Sequence, residues 1–210
     1  MTCRDGIVWG MSTIRMTLAA SILPAALLSQ TRAFTGATLI DGTGRPPIAN
    51  ATLVVRDGRV LAVGPASSIR IPPSAERQTL NGRFIMPGLI NAHGHINEPP
   101  DLATYAAYGV TTVYSLGGEP ASVFAARADQ AKSTLAHARV YAAGPVVVAP
   151  TPDSARMIVA ANAAMKADII KIRVDHNLGT TAKMAPAVYR AVIDEAHSRK
   201  LRVAAHIFYL

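Results

Sequence analysis

Hydropathy along the chain changes period twice. Between residues 34 and 83, apolar and polar residues alternate in short runs at 37–40, 52–55 and 59–63, a period of two that predicts β-strands. Asp57-Gly58 separates the last two runs and is a strong two-residue hairpin signal. Pro72-Pro73 and Asn81-Gly82 then punctuate the chain. Residues 84–97, FIMPGLINAHGHIN, form an apolar run broken by Pro-Gly, a brief second run, and a His-x-His ending. From there on the pattern alternates between helix and strand. Helices are expected at 102–108, 120–136, 154–166 and 186–199, with strands at 109–114, 139–143, 168–174 and 201–206. Strands separated by helices in this way predict an α/β fold with a parallel sheet.

The first 33 residues differ in composition. Arg4 and Arg15 supply positive charge, 16–28 is apolar, and Thr31-Arg32-Ala33 places small residues where a signal peptidase inspects the chain. This predicts an export leader over 1–33, with Met11 as an alternative start, and a periplasmic or secreted product. The apolar run is too short for a comfortable membrane span and contains Pro24, so no stable membrane anchor is expected after cleavage.

With 210 residues, half of them hydrophobic, the chain can bury a good core. The formal charge of +8 raises the question of nucleic acid. The basic residues are scattered, without runs or aromatic interleaving, so a solvated basic surface and no nucleic-acid partner are expected. Cys3 is the single cysteine, which excludes an internal disulfide and a cysteine-rich metal cluster.

Three places carry candidate chemistry. On an extended strand, side chains i and i+2 share a face, so His93 and His95 can aim two imidazoles at one point, with Gly94 keeping the other face clear. Neutral imidazole is a common metal ligand; the competing reading is a surface pair. Lys171 lies within Ile-Ile-Lys-Ile, where burying an ammonium is costly and depresses its pKa, unless its head reaches solvent at the strand end. His206 closes the last apolar strand, as a metal ligand or a satisfied core residue. His137 and His197 are expected on helix surfaces, and His176 in an exposed loop.

The stretch Met86-Pro87-Gly88-Leu89-Ile90-Asn91-Ala92-His93-Gly94-His95 resembles the first barrel strand of the amidohydrolase superfamily, in its imidazolonepropionase-like and Xaa-Pro-dipeptidase-like branch. GATLIDGTG and VVRDGRVLAVG resemble the first half of the small β-sandwich that precedes the barrel in that family. The resemblance implies half of a β-sandwich over 34–83 and a partial TIM-like barrel, strands one to five of eight, over 84–210. It implies two divalent metal ions, zinc foremost, held by His93 and His95 on one side and His206 on the other, with a carbamylated Lys171 bridging. The implied reaction is hydrolysis of an amide-type C–N bond, in a cyclic amide or dipeptide, by a metal-activated hydroxide.

The chain departs from the family in two respects. Tyr114-Ser115 stands where members carry Arg-Asp, and the family's sixth-strand histidine and catalytic aspartate have no counterpart in these 210 residues. The expectation is therefore the N-terminal part of a hydrolase, incomplete alone and without its own catalytic residue. The alternative is a truncated, non-catalytic metal-binding or partner-dependent interaction protein, prone through its open strand edge to form homo-oligomers.

Overall fold

The computed structural model describes residues 31–208 apart from Ser133. Residues 1–30 of the expected leader thus lie outside the described residues, but its last three do not. Strand β1 (Thr31–Leu39) already includes them: Arg32 pairs with Val55 on one side and Glu76 on the other, and Ala33 is fully buried. The boundary expected after Ala33 would cut a strand that is hydrogen-bonded on both edges.

Around β1 lie β2 (Ile48–Arg56), β3 (Arg59–Pro65), β4 (Glu76–Thr79) and β5 (Phe84–Ile85). The order is β3-β2-β1-β4, with β5 also pairing β1; β2 runs antiparallel to β1, whereas β4 and β5 run parallel to it. The β2–β3 hairpin forms where Asp57-Gly58 predicts it. Both turn residues have positive φ, 50° and 72°, as a type I′ turn requires. The sequence pattern missed β4 because its four residues are all exposed, leaving no alternation to read.

The domain boundary expected before Phe84 also moves. Phe84 pairs with Thr38 and Ile85 with Leu39, so both residues complete the first sheet and the chain leaves it through Met86-Pro87-Gly88. Gly88 is obligatory there: a Cβ would stand 2.2 Å from the side chain of Thr111.

The parallel strands follow in two ladders. β6 (Leu89–Gly94), β7 (Val110–Ser115) and β8 (Arg139–Ala142) form one, in that order. β9 (Ile169–Arg173) and β10 (Arg202–His206) form the other. An isolated bridge between Val147 and Ile172, and a bond from Asp168 N–H to Ala142 O (2.9 Å), join the two. Helices α1 (Asp101–Ala107), α2 (Ala121–Ala126), α3 (Pro152–Ala164) and α4 (Pro186–Ser198) cover one face. None of the described helices is long and apolar enough to cross a membrane.

Each ladder owns a core. Leu102 and Val123 pack with Val113 and Val140 under the first; Val159, Val188 and Val192 pack with Ile170 and Ile172 under the second. The helix expected over 120–136 is much shorter, because its continuation is captured by tertiary bonds. Arg127 lies over the Phe124 ring (4.7 Å) and donates to Lys166 O and Asp168, while the Gln130 side chain accepts the Val140 N–H (3.1 Å). His137, expected on that helix, is a half-buried loop residue whose Nδ1 lies 2.9 Å from Ala138 O. The fold is therefore mixed α/β, with a largely antiparallel first sheet followed by parallel βα units.

Candidate metal centre

Strand alternation decides which side chains face away from the helices. In β9, Ile170 and Ile172 point into the helix-side core, so Lys171 and Arg173 occupy the opposite face. In β10 the register sets Ala204 against Lys171 and His206 against Arg173, which places His206 on the face of Lys171.

Lys171 is 4% exposed, and its Nζ is shielded from solvent without a hydrogen-bond partner. Its ammonium does not snorkel to water. Desolvation, and secondarily the charge of Arg173, push its pKa below the ordinary 10.5. His206 Nε2 is likewise buried and unpartnered. The His206 ring meets Phe208 edge-on, 4.8 Å between centroids, and its carbonyl accepts Val174 N–H (3.2 Å). The buried Asp175 carboxylate then accepts Phe208 N–H (2.7 Å), so it steadies the segment just after His206. Asp175 looks like an ordinary strand-end residue in the sequence; only its burial reveals this role.

The histidine pair is built differently from a regular strand. β6 ends at Gly94, and its ladder with β7 is irregular between Asn91 and Gly94, so His95 lies past the strand. An irregular ladder of this kind re-aims side chains. His93 N–H donates to Asn91 Oδ1 (3.1 Å), while Leu116 N–H to Gly94 O and Ile96 N–H to Ser115 Oγ, both 2.9 Å, clamp the chain around His95. The two rings nevertheless stand 5.7 Å apart, tilted by 55°. The face behind Gly94 is closely packed, not clear: a Cβ there would meet Val113 Cγ1 at 2.6 Å and Tyr105 Oη at 3.1 Å, so the glycine lets β6 approach β7.

The four predicted residues share an electrostatic neighbourhood. The pKa of His93 is lowered from 6.5, first by desolvation and then by the charges of Lys171, His95 and His206. His93 is thus biased toward the neutral imidazole that a metal requires. Among the described residues no group of three or more His, Cys, Asp or Glu is arranged to hold a metal ion. His93, His95, His206 and Lys171 therefore form no ready-made cluster, and both His93 and His95 remain exposed. His206 Nε2, buried without a partner, has the chemistry of a metal ligand when neutral, and Lys171 has it only as a neutral or carbamylated amine, so the residues fit the group by donor type and not by geometry. A cavity of about 400 Å³ opens beside His95 and is lined by Asn97, Asp101, Thr104, Tyr105, Tyr108 and Val110; it does not reach Lys171 or His206. His197 is exposed on α4, as expected, and His176 is only half-buried in its loop.

Comparison with known proteins gives no matching family model. Among curated proteins, an imidazolonepropionase of Salinispora arenicola is 34% identical over 106 residues, 47% of this chain and 26% of its own. An adenine deaminase of Paracoccus denitrificans is 34% identical over 84 residues, 38% of this chain and 14% of its own. Among solved structures, a prolidase-like protein of Bifidobacterium longum matches 85% of this chain with a TM-score of 0.70 and 30% identity, over 49% of its own length. The chain thus spans about half of that solved relative and less of the curated ones. Sequence likeness to these proteins, together with a shared fold, supports a resemblance to the amidohydrolase superfamily over part of its relatives' length.

Proposed function

We propose that this chain carries the first metal-binding residues of an exported, metal-dependent amidohydrolase that cleaves an amide-type C–N bond, in a dipeptide or a cyclic amide. The observation that carries the reading is the buried Lys171 Nζ, unpartnered and on the face of the equally unpartnered His206 Nε2. Burial of a lone ammonium is unfavourable and is retained where the amine has a use. A neutral Lys171 amine can add carbon dioxide: its nitrogen forms the N–C bond, a proton leaves, and an anionic two-oxygen ligand results. His93 and His95 would hold one metal and His206 the second, with the Lys171 carbamate between them. The parallel strands would then correspond to strands one to five of an eight-stranded barrel, and the first sheet to half of a β-sandwich. A divalent ion held there supplies Lewis acidity toward the carbonyl and lowers the pKa of water.

The reading is tested on protein from its native host. Hydrolysis of a panel of dipeptides and cyclic amides should require zinc or a neighbouring divalent ion, and both bound metal and turnover should be lost in His93→Ala. Turnover that survives chelation overturns the proposal.

A second reading, a partner-dependent interaction protein, is favoured by one observation. Leu89 and Ile90 on β6 are 52% and 65% exposed, and Ile207 and Phe208 after β10 are exposed as well. These strands are the outer members of the two ladders among the described residues. Self-association of the 210-residue chain in size-exclusion chromatography with light scattering is the expected result; a monodisperse monomer counts against this reading.

A further inference from the structure

A buried carboxylate ties together the two segments that frame Lys171. Glu119 is 5% exposed, and both of its oxygens are committed to backbone. Oε1 accepts the Gly117 N–H and Oε2 the Gly144 N–H, each at 2.7 Å. Gly117 belongs to the segment after β7 and Gly144 to the segment after β8. Two backbone bonds complete the zipper, from Ala143 N–H to Ser115 O (3.1 Å) and from Gly118 N–H to Gly144 O (3.0 Å).

Both zipped segments end on the lysine. Gly117, at φ +113°, borders the stem without a side chain of its own: a Cβ added there would stand 3.6 Å from Lys171 Cγ and 2.5 Å from Val146 Cγ2. Farther along the second segment, Val147 N–H donates to Lys171 O (2.8 Å). The first segment thus borders the aliphatic stem and the second is hydrogen-bonded to the lysine backbone, while Glu119 itself makes no bond to the amine.

The chemistry of the clamp is selective for glutamate. Two N–H groups converge on one side chain, and only a carboxylate presents an acceptor to each. Glutamine would turn an NH₂ against one glycine N–H, and aspartate is one methylene shorter. A buried acid bonded only to amides is a costly way to close a turn, which is a reason to look for what it holds in place.

We propose that Glu119 is a positioning residue for Lys171: by holding Gly117 and Gly144 on one carboxylate, it fixes the lysine stem and thereby the place of Nζ relative to His93 and His206. The metal-hydrolase reading supplies the use of Nζ; the positioning rests on the geometry alone.

The test is reductive methylation of the metal-free 210-residue chain, followed at Lys171 by mass spectrometry and normalised to the exposed Lys200. In the wild type, Lys171 should react slowly. In Glu119→Gln, loss of one buried bond and the donor clash should raise its relative rate by about tenfold. Val54→Ala, which removes buried bulk from β2 in the first sheet, controls for general loosening and should leave the ratio near the wild-type value. An unchanged ratio in Glu119→Gln, or an equal rise in Val54→Ala at matched melting temperature, overturns the proposal. Zinc uptake, measured on separate unmethylated samples dialysed against zinc, answers the separate metal question: a wild type that takes up no zinc sinks the hydrolase reading and leaves the methylation result to decide the role of Glu119.

Discussion

Lys171 and His206 stand on one face of two paired parallel strands, with His206 two residues beyond Ala204, the register partner of Lys171. The nitrogen at the tip of each is buried and has no partner. Two unsatisfied buried polar nitrogens on neighbouring strands are a stability cost that packing alone does not explain.

Lys171→Met should make that cost visible. Methionine fills a similar volume without an ammonium to desolvate, so the metal-free variant should be more stable than wild type by about 1 kcal/mol or more at neutral pH. The sign of the pH dependence follows from the lowered pKa of Lys171. Between that lowered value and 10.5, the unfolded chain binds more protons than the folded one, so wild-type stability rises with pH across this window. Below it the penalty is fully present. Urea midpoints of wild type and Lys171→Met should therefore converge as pH rises; a gap that widens with alkalinity would contradict the burial argument. Zinc uptake should fall in the variant, separating function from stability.

Gly94→Ala tests the close packing behind the histidine pair. The added methyl would stand 2.6 Å from Val113 Cγ1, and Val113 is fully buried in the core between β7 and α1. Overpacking of this kind costs about 1–3 kcal/mol, read as a lowered denaturation midpoint. Because relief requires β6 to move outward, His93 and His95 should separate and zinc affinity should fall with stability. Gly109→Ala is the contrast. No atom lies within 4 Å of its would-be Cβ, although its φ of +80° still imposes strain, so it should cost stability and spare the metal.

Much of this arrangement was legible in the residues, for reasons that differ by element. The parallel strands announced themselves because β-branched runs such as residues 110–113 and 169–172 are interrupted by helical stretches. Asp57-Gly58 was decisive because so few residue pairs accept two positive φ values. What failed was whatever depended on tertiary capture. The helix from 120 stops early because Gln130 is recruited by β8 and Arg127 by the segment just before β9, and no local pattern encodes that. Strict alternation over His-x-His was also too simple, since the ladder breaks between Asn91 and Gly94. Glu119 gave no signal beyond an acid between Gly-Gly and Pro; its role exists only once two loops meet.

The expected export leader meets a constraint from β1. Thr31 pairs with Arg56 and Arg32 with both Val55 and Glu76, while Arg56 Nε donates to Thr31 Oγ1 at 3.0 Å. Cleavage after Ala33 would remove the first three residues of the strand, and with them the fully buried Ala33 methyl. It would also leave the start of β4 without its partner, since Glu76 and Arg77 pair with Arg32 and Ala33. If the chain is exported and processed, the mature N-terminus should therefore fall at Thr31 or upstream of it. Edman sequencing or top-down mass spectrometry of the secreted protein reads this directly. A mature protein that starts at Phe34 and keeps the thermal stability of a version starting at Thr31 would show that the β1 pairing at residues 31–33 contributes nothing to the folded state.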